Sequence, residues 1–403
     1  MLIFDKILIT LICISLTLEN TLPLFFSLSS SFIVYIISLI YIFFFRIKVF
    51  LLHLRLSSVK FIFLFFMATI LTEIMHENSD FSYIFRSIFM IIGALVFSTL
   101  SVNIKNQNSI FLALIYAGLL LTVFNTFTFI NILSGVSINS ISESTYIKNV
   151  IFGEQVYLKD NLNNMGYNLS LFNIAILNYY YRSKSVKKIS LLMLGLVFSL
   201  GIVVTLSRSA ILVFVISVLI FLKKNDKIFK SLPILVVATL LLYVIIPDIA
   251  INRLTGTVKL IDESSAIDDV KDSRFKLISS TLHHFSAAMP FGVGHGNYFG
   301  DWGINSRFYK YKTARVHGTH NLFIQIYFFF GMPSLIIFIL CLLIIFIELR
   351  SFAVYENNFF PYTVLIFLIL MSFFNHNLYN KIYSLCFGII YANLFKSKYG
   401  LKI

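Results

Sequence analysis

The residues best equipped for chemistry stand at the entrance of an apolar run. The stretch "RVHGTHNLFIQIYFFFGMPSLIIFIL", Arg315 to Leu340, opens on two histidines and an asparagine and then turns almost wholly hydrophobic. A helix beginning near His320 would place that imidazole at its positive end, where the dipole disfavours protonation and keeps the ring available as a base. The competing reading is a histidine that merely caps a helix at an interface. Asn321 and Gln325 are four apart, share a helical face and can line one cavity. Gly331 and Pro333 would kink the segment.

Two arginines accompany these groups. In "TLSRSAILVF", Arg208 stands between two apolar segments with almost no loop around it. That placement is costly unless the side chain reaches a cavity, an anion or an interface, and snorkelling to headgroups is the plain alternative. In "DSRFKLISSTLHHFSAAMP", Phe275, Ile278, Leu282 and Phe285 recur at helical spacing behind an Asp272 or Ser273 cap. The spacing predicts an amphipathic helix ending before Pro290, with Arg274 in its first turn, again open to a snorkelling reading.

Gly294 and Asn297 belong to a Gly-rich turn, "PFGVGHGNYFGDW" from Pro290 to Trp302. It lacks the last glycine of a dinucleotide fingerprint and links no strand to a helix. A tight turn under a bulky ligand or a helix end fits it better. Of the eight histidines, His283, His284, His295, His317 and His320 lie in or border this region. No Cys or HExxH pattern completes a four-ligand zinc set around them, so neither a metal nor another cofactor is expected.

The elements that must hold these groups are membrane helices. Of 403 residues 58% are hydrophobic and 12% charged, with a mean hydropathy of +0.88, outside the range of soluble domains. Twelve apolar segments are long enough, or nearly so, to cross a hydrocarbon core of about 30 Å: 7–20, 24–45, 59–75, 82–101, 109–131, 165–181, 189–206, 209–222, 231–247, 320–347, 358–374 and 382–395. The predicted architecture is therefore an all-α, polytopic transmembrane bundle. It divides into 1–247 with helices one to nine, a large loop over 248–319, and 320–403 with the last three helices and a tail.

The net charge of +14 sorts by loop. On alternate loops and the two ends sit 18 of the 32 Lys and Arg, including Lys6, Arg46, Lys60, Arg182, Lys188, Lys223 and Lys396. The opposite set carries Glu19, Glu77, Asp80, Glu143, Glu154, Asp160 and seven acids between Asp248 and Asp301. By the positive-inside rule both termini are cytoplasmic and the histidine-bearing loop faces outward. The basic excess reads as topology, with no nucleic-acid partner. Cys13, Cys341 and Cys386 fall in or near apolar segments, so no disulfide is expected.

Three motifs occur in order: "TLSRSA", then "SRFKLISSTLHHFSAAMPFGVGHGN", then "HN" at His320 and Asn321 followed by Gly331. Together they resemble the O-antigen polymerase and O-antigen ligase superfamily, over roughly residues 205–334. The resemblance implies a GT-C-like helical fold in the bacterial inner membrane and a metal-independent, inverting transfer at the periplasmic face. Its substrates would be undecaprenyl-pyrophosphate-linked oligosaccharides, and its partners membrane lipid and a chain-length regulator protein. Residue by residue, it implies that Arg208 and Arg274 bind pyrophosphate and that His320 is the base. Asn321, His317, Gln325, Gly294 and Asn297 then become candidates for the substrate cavity. Ser334 departs from the ligase pattern, which has Gly, Thr or Tyr there, and with the "GVGHGN" turn this tilts the reading toward a polymerase. Two other readings are an O-antigen ligase and a lipid-linked oligosaccharide flippase; against the flippase, the chain shows no internal repeat and its polar groups gather at one face.

Overall fold

A computed structural model describes residues 2–17, 30–76, 79–102, 107–133, 162–182, 188–205, 207–224, 290–295, 321–356, 358–375, 378 and 380–399. Among them the chain forms twelve α-helices: α1 (Leu2–Thr17), α2 (Ser30–Phe45), α3 (Ile47–His53), α4 (Ser57–Ile74), α5 (Ser82–Ser101), α6 (Gln107–Leu133), α7 (Leu162–Arg182), α8 (Lys188–Val204), α9 (Arg208–Lys224), α10 (Leu322–Glu356), α11 (Phe360–Ser372) and α12 (Lys381–Tyr399). Segments this apolar become helices because each then satisfies its own backbone where lipid offers no partner. Helices occupy eleven of the twelve segments read from hydropathy. The remaining one, 231–247, lies outside the described residues, as does the amphipathic segment around Arg274.

By length and apolarity α4, α5 and α10 can each cross a membrane, and α2 with α3 would make a fourth span if counted as one. The α2–α3 pair is bent by 106°. At the bend the Arg46 guanidinium meets the fully buried Asp5 carboxylate at 2.6 Å. The same end of the bundle holds His53, whose ring stacks on Phe395 at 4.3 Å and whose Nε2 lies 2.6 Å from Ser98 Oγ. Lys398 Nζ donates to the Arg55 carbonyl at 3.2 Å. Leu2 and Tyr399 therefore share this basal end, and the described candidates Arg208, Gly294, Asn321 and Gln325 lie toward the other, apical one.

Small residues let the core helices approach closely, the usual device where lipid supplies no hydrophobic drive for association. On α12, Gly388 faces the Ala94 carbonyl and Phe97 of α5, with no room for a Cβ. Tyr35 of α2 reaches Ser384 of α12 at 2.6 Å between hydroxyls. On α7, Asn173 donates to Ser199 Oγ and the Gly195 carbonyl of α8, at 2.7 and 3.0 Å.

The break that the sequence places at Gly331 is sharper than a kink. Residues 323 and 338 would stand about 22 Å apart along a straight helix, at about 1.5 Å per residue. Their rings are instead 6.1 Å apart between centroids. Thus α10 is two helices, a short limb over 322–330 and a long one over 332–356. The long limb lies antiparallel to α4, with Phe338 beside Phe65 at 5.2 Å and Cys341 Sγ at 3.5 Å from the Ser58 carbonyl. The short limb folds back beside it, and Phe323 also meets Phe373 at the apical end of α11, at 5.1 Å.

Gly331 adopts φ 75° and ψ −177°, a region essentially closed to residues with a Cβ. A Cβ there would also run into the Pro290 carbonyl. Gly331→Ala is expected to cost at least about 1–3 kcal/mol from backbone strain alone. A lowered unfolding temperature of the protein in detergent would register it, and an unchanged one would mean the break is not fixed by this residue.

Candidate functional site

At the apical end the Gly-rich turn is laid across the α10 break. Breaking the helix frees carbonyls, and 290–295 uses them: Val293 N donates to Phe328 O at 2.7 Å and Gly294 N to Phe329 O at 3.0 Å. In return Met332 N donates to Pro290 O at 2.9 Å. Gly292, at φ 77°, passes so close to the Phe329 carbonyl that no side chain fits. The sequence expectation of a tight turn under a helix end holds for this part of the motif. Gly294 sits against the His76 ring, while Asn297 lies outside the described residues.

A cluster that the sequence did not reveal secures this turn. Glu73, fully buried at the end of α4, accepts the Asp80 N–H at 2.7 Å on Oε1 and the His295 N–H at 2.9 Å on Oε2. His295 Nδ1 faces Asp80 Oδ2 at 3.0 Å, a close electrostatic contact rather than a straight hydrogen bond. The imidazole packs against Tyr83 and Phe329 at 5.3 and 4.9 Å. The signal available beforehand was an acid inside an apolar segment, Glu73 in "ATILTEIM". Its partner lies 222 residues away, too far for spacing to pair them.

The charges at this corner predict a pH dependence. Burial lowers the pKa of His295 below 6.5, with Arg86 adding to the effect, and Asp80 and Glu73 only partly offset it. For Asp80, burial acts upward but hydrogen bonds from Ser82 and the nearby His295 outweigh it, leaving it below 3.8. Both depressed values act in one direction. As pH falls below about 6.5 the unfolded chain takes up the histidine proton first, and the Asp80 contribution is lost later, as pH falls through its lowered value. Unfolding temperature should therefore drop on acidification from pH 7 to 5, with a shallower drop in His295→Gln. Equal slopes would show that the pair contributes nothing.

Arg208 begins α9, on the other side of the apical rim. Ser207 caps that helix, its Oγ accepting from Ala210 N at 3.3 Å and donating to Asn163 Oδ1 at 2.6 Å. Tyr167 donates to Ser209 Oγ at 2.8 Å, and Asn380 to Asn164 Oδ1 at 2.8 Å. The starts of α7, α9 and α12 are thereby tied together. Tyr383 of α12 lies within hydrogen-bond distance of Ser372 at 3.0 Å. Tyr83 accepts the Leu378 N–H at 3.2 Å, which joins this network to the His295 corner. Arg208 itself is exposed. A cation at a helix N-terminus is unfavourable by itself and becomes favourable once an anion lies between guanidinium and first-turn N–H groups.

The short limb of α10 starts at Leu322, two residues after the start at 320 that the sequence suggests. Asn321 Oδ1 accepts the Ile324 N–H at 3.1 Å as its cap, and Gln325 N donates to Asn321 O at 3.0 Å. His320 immediately precedes the cap and lies outside the described residues, with His317 and Arg274. Of the candidates, the structure brings Gly294, Asn321 and Gln325 onto α10 and leaves Arg208 on the α7–α9 side. Among the described residues no group of three or more His, Cys, Asp or Glu is placed to hold a metal.

Residues 191–339 match the model of the O-antigen ligase family. The match spans Arg208, the Gly-rich turn, Asn321, Gln325 and the break at Gly331. Comparison with curated proteins finds no match.

Proposed function

We propose, on the premise that residues 191–339 make this chain a member of the O-antigen polymerase and ligase superfamily, that it is an O-antigen polymerase of the inner membrane. Members of that superfamily are membrane enzymes that act on lipid-linked oligosaccharides, and the apolar helices make this chain an integral membrane protein. The observation that carries the reading is Arg208, exposed on a capped helix start held by Asn163, Ser207 and Tyr167. A planar guanidinium beside first-turn N–H groups suits pyrophosphate oxygens. Arg274 supplies the second cation.

The acceptor is the non-reducing end of one undecaprenyl-pyrophosphate-linked repeat unit, and the donor is the growing chain on the same lipid. His320 takes the acceptor hydroxyl proton, the hydroxyl oxygen bonds to the donor's anomeric carbon, and the bond from that carbon to pyrophosphate breaks. Undecaprenyl pyrophosphate leaves with the electron pair, its charge met by the two arginines. Attack opposite the leaving group inverts the anomeric configuration, and no metal is required. Both termini lie in the cytoplasm and the apical end faces the periplasm, which the distribution of basic loops supports.

The lipopolysaccharide profile of a deletion strain tests this reading. Core bearing a single repeat unit is expected. Bare core, with polymer retained on the lipid carrier, would make the protein a ligase instead.

A further inference from the structure

The short limb of α10 carries one amide among apolar and aromatic neighbours, Leu322, Phe323, Ile324, Ile326, Tyr327, Phe328, Phe329 and Phe330. That amide, Gln325, is 1% exposed. Both its Nε2 and its Oε1 are buried without a hydrogen-bond partner among the described residues. Leaving a donor and an acceptor unpaired together costs the fold twice, and a leucine of similar size would avoid both penalties. Gln325 shares its helical face with Asn321 one turn before it and Phe329 one turn after it. Phe329 in turn packs on Tyr83 and His295. The strip is amide, amide, aromatic, imidazole, which suits a ring with both apolar and hydroxylated faces.

We infer that Gln325 reads the saccharide at the reacting bond, through a group that presents a donor and an acceptor side by side: an acetamido substituent or a pair of vicinal hydroxyls. A phosphate fits the amide poorly, because its oxygens would satisfy Nε2 and repel Oε1. The residue is about 6 Å along the limb from the Asn321 cap, at about 1.5 Å per residue, and Asn321 adjoins His320. Engagement is a closing step, in which the side chain turns about its χ bonds toward the Asn321 end and exchanges an unpaired amide for a paired one. The inference rests on the reading of the protein as an enzyme of lipid-linked saccharides.

The test uses the full chain in lipid nanodiscs, wild type beside Gln325→Leu and Gln325→Glu. Two probes are titrated: the undecaprenyl-pyrophosphate-linked repeat unit and undecaprenyl pyrophosphate without sugar. Without ligand, Gln325→Leu should unfold at the same temperature as wild type or higher. Its affinity for the sugar-bearing probe should fall by about 10- to 100-fold while that for the bare lipid holds, and Gln325→Glu should lie between. A lower unfolding temperature with unchanged sugar affinity would overturn the inference and make the amide structural. Equal losses for both probes would overturn it in favour of a pyrophosphate ligand. A wild-type protein that binds neither probe would remove the enzymatic reading and the inference with it.

Discussion

His320→Ala is expected to lower turnover by roughly 10² to 10⁴, the usual contribution of a general base, while binding of the lipid-linked donor stays close to that of the parent. In the proposed role His320 comes just before the Asn321 cap in sequence, and a positive helix end favours a neutral imidazole. Activity of the parent should rise with pH through the imidazole titration, since only the neutral ring accepts a proton. Chelator should leave it unchanged. Normal turnover in the alanine variant would remove the base role. Weaker donor binding at normal turnover would make His320 a pyrophosphate ligand.

Arg208→Ala should reduce turnover by about 10²–10³, the loss that follows removal of one group aimed at developing negative charge. Arg208→Lys and Arg274→Lys should each recover only part of it, because a point ammonium cannot reproduce a planar two-pronged contact. Arg307→Lys and Arg315→Lys serve as controls for ordinary loop charge and should be near normal. Full chain-length ladders from both lysine variants at normal expression would contradict the phosphate role. The structure adds a stability readout for the α9 corner. Loss of the Ser207 cap should lower the unfolding temperature by the equivalent of about 1 kcal/mol.

Hydropathy alone located most helices, since a segment such as Ser82–Ser101 is predominantly apolar and lipid leaves helix as the one sound solution for its backbone. The cost of an arginine at a helix junction made Arg208 visible, and a glycine before a proline inside a long apolar run made the α10 break visible. What stayed hidden depends on contacts between distant parts of the chain. Nothing local shows that the limb after Asn321 reverses onto Phe338 and Phe373. The Glu73 clip on Asp80 and His295 needs three segments, and a carboxylate inside an apolar run shows that it needs a partner without showing which. The short α3 was also missed. Its residues, "IKVFLLH", are continuous with an apolar span, and only the Arg46–Asp5 pair and the bend of 106° separate them from it.

Reconstitution shows whether this chain joins repeat units to one another. Purified protein in lipid would be given undecaprenyl-pyrophosphate-linked repeat units and no lipid A core, and the products separated by size. A polymerase yields a ladder of lipid-linked oligomers spaced by one repeat unit, formed in chelator and absent from His320→Ala. A single unreacted repeat unit, converted only when lipid A core and preformed polymer are supplied together, would contradict the polymerase reading and identify a ligase.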